Sequence, residues 1–351
     1  MTLQKALQAR IAQTGPITVA DYMADALLHP TLGYYTTRDP LGTDFITAPE
    51  ISQMFGELLG LSLAQSWLDQ GQPAPFTLAE LGPGRGTLMA DMLRAAAGVP
   101  GFLDAAQVHL VEVSPTLRAA QAGRLAGHEV TWLESANALP DQTLFVIANE
   151  FFDALPIRQF LRDGGTWRER MIGLDGDRLA FGLGPAQPQP ALAHRLSDTK
   201  EGELVEDCPS AAPIVHALAT RIAAHGGAGL IIDYGDWRSL GDTLQALRKG
   251  QTVSPLDAPG TADLTAHVDF EALAKAAAPA QHARLTPQGV FLERLGITAR
   301  AQALATRLTG DALAAHIAAH RRLTHPEEMG NLFKVLALYP EGAVPPPGCT
   351  P

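Results

Sequence analysis

The chain has 351 residues, 46% of them hydrophobic and only 6% aromatic, and a net charge of −11. This length allows one large domain with insertions, or two domains. The negative charge argues against general nucleic-acid binding, because an acidic surface repels phosphate backbones, and it favours a basic partner such as an arginine-bearing peptide.

Residues 1–71 are predicted to form a helical lead-in with a lid. Helical spacing of apolar residues predicts a helix over Leu3–Ala12 and a second one from about Thr18. A loop rich in Pro, Gly, Thr and Asp follows, and we predict that Tyr34–Glu57 forms part of a lid over a binding site.

The end of this lead-in carries the signals of another helix start. Thr47 is placed to cap it, Pro49 falls in its first turn, and Glu50 completes a capping-box pattern with Thr47. The apolar periodicity that follows predicts one continuous helix that ends near Gly71.

Residues 72–157 read as alternating strands and helices. The predicted strands are Phe76–Leu81, Val108–Val113, Glu129–Leu133 and Thr143–Glu150. Strands that are apolar on both faces and alternate with helices indicate a parallel sheet covered on both sides. The sequence therefore predicts an α/β fold.

Two further segments complete the predicted organisation. Residues 158–210 begin with a three-stranded antiparallel meander, because alternating residues are separated by Gly-containing turns. Residues 211–351 return to the core pattern with a helix over Ala211–His225 and a buried strand over Gly229–Asp236. Residues 247–270 are predicted to be a polar loop.

The strongest motif is the turn from Glu80 to Gly86, with the sequence ELGPGRG. Glycines at alternate positions between a strand and a helix allow a tight turn and close approach of a ligand. The turn lacks the GK[ST] of a P-loop and the GxGxxG spacing of a dinucleotide site. The acid Glu80 disfavours a pyrophosphate and suits a cationic, phosphate-free ligand such as S-adenosylmethionine.

A second acid, Glu112, ends the next predicted strand. A carboxylate at this position can accept hydrogen bonds from both hydroxyls of a ribose, as in dinucleotide-binding folds. Because either adenosine cofactor needs this contact, Glu112 supports the fold without choosing the ligand.

The segment from Asn149 to Pro156, NEFFDALP, follows the fourth predicted strand. Ligands in open α/β sheets bind beyond the carboxyl ends of the strands, so Asn149, Glu150 and Asp153 are candidates to meet the reacting atom. Asn149 can hold a target nitrogen, and the two carboxylates can grip a guanidinium. The alternative is an ordinary helix cap with acids on the helix dipole.

Two more polar residues are candidates for the same edge. Asp233 ends another buried strand, with a simple strand-end turn as the alternative. His267 is a candidate proton acceptor, although a lone histidine is more often structural. The remaining histidines are scattered and form no metal set, so we predict no metal site.

The rest of the sequence bears on location. Cys208 and Cys349 lack metal spacing and define no disulfide framework. The N-terminus has no apolar signal core, and no run is long enough to cross a bilayer. We expect a soluble cytoplasmic protein without membrane insertion.

These motifs resemble the MidA family of S-adenosylmethionine-dependent methyltransferases over nearly the whole chain. ELGPGRGT is common to many methyltransferases, whereas ANEFFDALP together with DLTAHVDF is far more specific. The matching segments are GYYTTRDPLGTDFITAPEISQMFGELLG, AELGPGRGTLMADMLR, LVEVSP, ANEFFDALPIRQF, LIIDYGD, TLQALRKGQTVSPLDAPGTADLTAHVDF and MGNLFKVL.

The resemblance implies a class I, Rossmann-like methyltransferase sheet with an inserted antiparallel meander and added helices. It implies methylation of a protein arginine, because the mitochondrial member of the family assists respiratory complex I assembly by methylating a subunit. The cofactor residues predicted here are Glu80, Gly82, Pro83, Gly84, Gly86, Thr87, Glu112, Val113, Asn149 and Glu150. The catalytic candidates are Glu150, Asp153 and Asn149, with His267 and Asp233 in reserve.

Alternatives remain at this point. A small-molecule methyltransferase would have the same sheet, and a non-catalytic assembly factor that binds the cofactor is a further option. The protein partner is expected to be a complex I subunit, with a cytoplasmic location in a bacterium and a mitochondrial one for eukaryotic relatives. The oligomeric state stays open, with a homodimer as one option.

Overall fold

The computed structural model describes residues 2–37 and 46–351. Its helices are α1 (Leu3–Thr14), α2 (Val19–Leu28), α3 (Tyr34–Thr37), α4 (Ala48–Ile51), α5 (Gln53–Asp69), α6 (Thr87–Ala96), α7 (Phe102–Ala105), α8 (Pro115–Arg124), α9 (Ala211–His225), α10 (Phe270–Ala276), α11 (Gln288–Arg294), α12 (Ile297–Ala305) and α13 (Gly310–Thr324). Short 3₁₀ or π turns occur at Ala136–Ala138, Pro190–Ser197 and Pro326–Gly330.

The strands alternate with these helices along much of the chain. They are β1 (Ile17–Thr18), β2 (Phe76–Leu81), β3 (Ala106–Val111), β4 (Val130–Leu133), β5 (Leu144–Asn149), β6 (Arg158–Asp163), β7 (Thr166–Asp175), β8 (Arg178–Gln187), β9 (Leu204–Asp207), β10 (Gly227–Asp236), β11 (Gln245–Arg248), β12 (Gln251–Val253), β13 (Asp263–Thr265), β14 (Val268–Asp269), β15 (Gln281–His282), β16 (Thr286–Pro287) and β17 (Phe333–Tyr339).

The chain divides into two compact units, each built from separated segments. Residues 46–152, 212–237 and 270–351 form the sheet unit, and residues 2–37, 153–211 and 238–269 form the meander unit. The boundaries predicted from the sequence, after residues 71, 157 and 210, divide the chain into consecutive domains. Each compact unit instead combines segments that are far apart in the sequence.

The sheet unit is an α/β sheet whose strands run in the order β15–β17–β10–β5–β2–β3–β4. Strands β10, β5, β2, β3 and β4 are parallel, and β17 pairs antiparallel with β10. All six side chains of β2 and of β5 are buried, as predicted for strands covered on both faces. This arrangement confirms the predicted α/β fold.

The meander unit contains the predicted antiparallel strands. β6 pairs with β7 and β7 with β8, with turns at Gly164 and Gly176 that both have positive φ. The hydrophobic core of this unit includes Tyr22, Met23 and Ile172, all without solvent exposure. The three-stranded meander predicted at the start of residues 158–210 is confirmed.

The polar loop predicted for residues 247–270 is wrong, because this segment contains strands. β11 pairs antiparallel with both β12 and β13. The β11–β12 turn is made by Lys249 and Gly250, both at positive φ, which suits a two-residue hairpin. The polar composition of the segment hid these short strands.

The continuous helix predicted from Thr47 to Gly71 is also wrong. The helix breaks at Ser52, whose φ of −160° and ψ of 135° are extended, and the Ser52 hydroxyl caps α5 through the Met54 N–H. Within the described chain the Thr47 side chain makes no capping hydrogen bond. The predicted capping box is therefore wrong, and Glu50 instead accepts a hydrogen bond from the Thr87 hydroxyl at 2.5 Å.

In the part of the chain that the structure describes, no helix is both long and apolar enough to span a bilayer. The predicted lid, Tyr34–Glu57, includes residues 38–45, which lie outside the described residues.

Candidate functional site

The candidate site lies where the order of the parallel strands reverses. β2 pairs with β3, the next strand along the chain, on one side and with β5 on the other. The crevice at such a switch point is where open α/β sheets bind ligands, outside the carboxyl ends of the strands. The turn after β2 and the residues that end β5 therefore meet at this edge.

The glycine turn adopts the conformation that its composition requires. Gly82, Gly84 and Gly86 have φ values of +62°, +53° and +79°. A Cβ atom on Gly82 would lie only 2.9 Å from Cδ2 of Phe151. The turn thus needs glycine both for its left-handed backbone and for the close approach of the segment after β5. Pro83 lies within the turn, and Thr87 begins α6.

Glu80 is buried beneath this turn, with 3% of its surface exposed. Its Oε2 atom has no hydrogen-bond partner among the described residues. Burial raises the pKa of Glu80 to about 8; the Met89 N–H opposes this rise and the nearby charge of Glu112 adds to it. A buried acid with a free oxygen and a second acid nearby attracts a cation.

Glu112 follows β3 directly and is 8% exposed. Its Oε1 accepts a hydrogen bond from the Ser114 N–H at 2.7 Å, and Oε2 accepts one from Nε2 of Gln121 at 3.3 Å. Burial raises the pKa of Glu112, while these donors lower it. The next residue, Val113, is an apolar side chain that is 50% exposed.

Asn149 and Glu150 end β5 at the same edge. Asn149 is 7% exposed, and its Oδ1 is buried with no hydrogen-bond partner in the described chain. Glu150 has a φ of +52°, which is unusual for a residue with a side chain. Its carboxylate Oε1 accepts hydrogen bonds from the Ala48 N–H at 2.9 Å and from Nδ2 of Asn149 at 3.1 Å. Such strain is found mainly at functional sites, where the surroundings over-determine it.

Asp233 has no exposed surface and holds the segment after β5 in place. Its Oδ2 accepts the backbone N–H groups of Phe151 and Phe152 at 3.2 and 3.0 Å, and Oδ1 accepts that of Tyr234 at 3.0 Å. These contacts suit a positioning role behind Glu150. The catalytic role given to Asp233 stays a prediction.

Asp153 and His267 belong to the meander unit. The Asp153 carbonyl accepts the Ala266 N–H at 2.9 Å, so Asp153 lies beside the segment that carries His267. The His267 N–H donates to the Thr243 hydroxyl at 2.8 Å. The catalytic roles of Asp153 and His267 stay predictions.

Sequence reasoning missed two groups near the glycine turn. Glu50 bonds to Thr87, and Gln121 bonds to both Glu112 and the Gly84 carbonyl. A signal for Gln121 was available, because it lies four residues after Leu117 on the buried side of α8 and is a polar residue there. No local pattern identifies the contact of Glu50.

Comparison with known families assigns the chain. Residues 58–289 match the family model described as "Putative S-adenosyl-L-methionine-dependent methyltransferase". The chain belongs to this family. It is an S-adenosylmethionine-dependent methyltransferase, as the turn and its two acids indicate.

Curated relatives cover nearly all of this methyltransferase. The mouse protein named "Protein arginine methyltransferase NDUFAF7, mitochondrial" is 40% identical over 95% of this chain and 83% of its own length. The human protein of the same name is 37% identical over 95% of this chain and 82% of its own length. The homolog from Drosophila melanogaster is 36% identical, with 97% and 85% covered.

A solved structure is similar over the same extent. It comes from Burkholderia thailandensis, is described as a "likely methyl transferase" bound to S-adenosyl-homocysteine, and has a TM-score of 0.81 and 30% identity. The similarity covers 96% of this methyltransferase and 91% of that chain. It confirms the Rossmann-like methyltransferase fold predicted from the sequence.

The residues of the switch point fit the cofactor. The free oxygen of Glu80 suits an ammonium, and the fixed carboxylate of Glu112 suits a pair of hydroxyls. Gly82, at a φ of +62°, makes the tight turn that lets a ligand approach the backbone at the edge of the sheet. The two buried acids disfavour a phosphate at this turn.

Proposed function

We propose that this methyltransferase methylates arginine side chains of a protein. The observation that carries the proposal is Glu150, an acid held in a strained left-handed conformation with its carboxylate fixed by the Ala48 N–H. A carboxylate held in place in this way is suited to orient a guanidinium by its charge and by accepting a hydrogen bond from it. The arginine methyltransferase names of the curated relatives support the same acceptor.

The proposal gives each site residue a part in holding the cofactor. Glu80 would bind the ammonium of the methionine moiety, and Glu112 would accept the ribose hydroxyls. The turn of Gly82 and Gly84 would lie along the methionine moiety, and the exposed Val113 follows Glu112 on the adenosine side. When bound, S-adenosylmethionine supplies a methyl group on an already activated sulfonium.

The protein's own contribution to the reaction is mainly positioning. Glu150 would orient the guanidinium, concentrate its charge away from the nitrogen to be methylated, and take the proton that this nitrogen loses. One N–C bond forms, one C–S bond breaks, and the products are methylarginine, S-adenosylhomocysteine and a proton. Asn149, whose Oδ1 is buried and without a described partner, would accept a hydrogen bond from the substrate.

The natural substrate proposed here is a subunit of respiratory complex I. The location proposed for the enzyme is the bacterial cytoplasm. The family resemblance supports this substrate, and the names of the mouse and human relatives describe those proteins as mitochondrial. A homodimer is also proposed as the assembly. Size-exclusion chromatography with light scattering tests the homodimer, and a monomer mass would exclude it.

Mass spectrometry of complex I subunits tests the substrate. Cells with the gene, without it, and with a Glu150→Gln variant would be compared for methylated arginine peptides. The proposal predicts methylarginine only with the intact gene. Equal methylation in all three strains would contradict it, and so would methylation of a small molecule alone. Binding of S-adenosylhomocysteine by purified Glu150→Gln serves as the control that the variant folds.

A further inference from the structure

We propose that Gln121 is a positioning residue that aligns the glycine turn with the carboxylate of Glu112, and that Trp132 sets the orientation of its amide. The inference rests on the proposed role of Glu112 in holding the ribose. It assigns part of the cofactor specificity to a residue that need not touch the cofactor.

Gln121 makes three hydrogen bonds through one side chain. It lies on α8 with no solvent exposure. Its Nε2 donates to the Gly84 carbonyl at 2.6 Å and to Oε2 of Glu112 at 3.3 Å. Its Oε1 accepts the indole N–H of Trp132 at 2.8 Å. One amide therefore connects the turn after β2, the acid after β3, and β4.

Trp132 decides which way this amide faces. An indole N–H can only donate, so it requires the amide oxygen of Gln121 on its side. The amide nitrogen must then face Gly84 and Glu112, both of which offer only acceptors when Glu112 is ionised. Each of the three contacts agrees with this single orientation, and the reversed amide would lose all three hydrogen bonds.

The same side chain supports the turn by packing. A Cβ atom placed on Gly86 would lie 3.4 Å from Cγ of Gln121, so the Gln121 side chain lies directly against the backbone of that glycine. Replacing Gln121 alters the position of the turn and of the carboxylate together.

The carboxylate of Glu112 is fixed from two sides. The Ser114 N–H holds Oε1 at 2.7 Å, and Gln121 holds Oε2. A carboxylate has about four acceptor sites, so it keeps acceptor capacity for the ribose hydroxyls beside these protein donors. Without Gln121 the Oε2 side is free to turn, and the pair of hydroxyls no longer meets two fixed oxygens.

Calorimetry with two ligands tests this role. The probes are S-adenosylhomocysteine and its 2′-deoxy analogue, which lacks one ribose hydroxyl. For the unmodified protein we expect the complete ligand to bind about tenfold more tightly, as one hydrogen bond to a charged group predicts. For Gln121→Leu we expect the affinity for the complete ligand to fall about tenfold and the ratio between the two ligands to approach one.

Two further variants keep the test decisive. Trp132→Phe removes the indole N–H while keeping a ring, so it should lower the ratio even if Gln121→Leu does not fold. Gln142→Leu is the matched control, because Gln142 also donates two side-chain hydrogen bonds, to Thr77 and Gln107 at 2.8 Å each, and lies outside the turn. This control should leave the ratio unchanged.

Three results would overturn the role of Gln121 or the ribose assignment on which it rests. An equal loss of affinity for both ligands in the Gln121 and Trp132 variants would show a merely structural role and overturn the inference. An unchanged affinity for both would overturn it too. A Glu112→Gln variant that keeps the tenfold ratio would overturn the ribose assignment on which it rests. Acceptor identity does not enter these measurements, so a failed arginine assignment would leave them unaffected.

Discussion

Binding of the cofactor should release a proton from Glu80. Burial raises the pKa of this acid to about 8, so in the ligand-free protein at pH 7 about ten molecules carry the proton for each one that does not. An ammonium beside the carboxylate favours its ionised form and lowers the pKa. Each binding event at pH 7 should therefore release roughly 0.9 of a proton from this group.

The same shift sets the pH dependence of the affinity. Because only ionised Glu80 attracts the ammonium, the affinity for S-adenosylhomocysteine should rise about ninefold from pH 6 to 7 and about fivefold from pH 7 to 8. The increase should end above the pKa of about 8. Burial also raises the pKa of Glu112, so the ionisation of Glu112 adds to the pH dependence of the affinity through its contact with the ribose.

Isothermal titration calorimetry in two buffers with different ionisation enthalpies measures the released proton. 5′-Methylthioadenosine is the matched ligand, since it keeps the ribose and lacks the ammonium. The two ligands should differ in how steeply their affinity depends on pH, and we attribute this difference to Glu80. The Glu80→Gln variant should abolish it. Equal slopes and equal proton release for both ligands in the unmodified protein would refute the reasoning.

Three substitutions test other parts of the site. Gly82→Ala should weaken S-adenosylhomocysteine binding and lower the melting temperature, because the new methyl group would clash with Phe151. The control Gly176→Ala, at a φ of +63° with no described atom within 4 Å, should lower the melting temperature without changing binding. Equal effects of the two substitutions on binding would contradict this prediction. Asp233→Asn should lower the free energy of unfolding by about 2–3 kcal/mol in urea titration, and an unchanged value would contradict its three backbone contacts. Glu150→Gln should abolish methyl transfer while calorimetry still detects S-adenosylhomocysteine, and retained turnover would exclude it as the proton acceptor.

The sheet was predictable because its signals are local. The strand Phe76–Leu81 was predicted with the bounds that the structure has, since a short and mostly apolar run precedes a glycine turn that cannot continue a strand. The start of α8 depends on local features of the same kind, because Pro115 lies in its first turn and the Ser114 hydroxyl accepts the Leu117 N–H at 3.4 Å. Such features depend only on neighbours within a few residues.

The rest depended on contacts between distant residues. The break at Ser52 accompanies the bond between Glu50 and Thr87, which are 37 positions apart. In the meander unit, the Tyr35 hydroxyl donates to Asp263 at 2.6 Å across 228 positions. No periodicity or turn chemistry records such pairs, so the discontinuous composition of both units was not predictable.

The candidate site was predictable in its acids and glycines and not in their surroundings. The spacing of Glu80, Glu112 and Glu150 at strand ends identified the edge, because parallel strands end together. The left-handed conformation of Glu150 and the link through Gln121 follow from packing that the sequence alone does not specify.

The most direct test of the central claim follows the methyl group itself. Purified enzyme would be incubated with methyl-labelled S-adenosylmethionine and an extract of cells that lack the gene, and the protein fraction would then be hydrolysed to amino acids. We predict label in methylarginine with the unmodified enzyme and none with Glu150→Gln. Label confined to small molecules or to another amino acid, or label in methylarginine with both enzymes, would contradict the account.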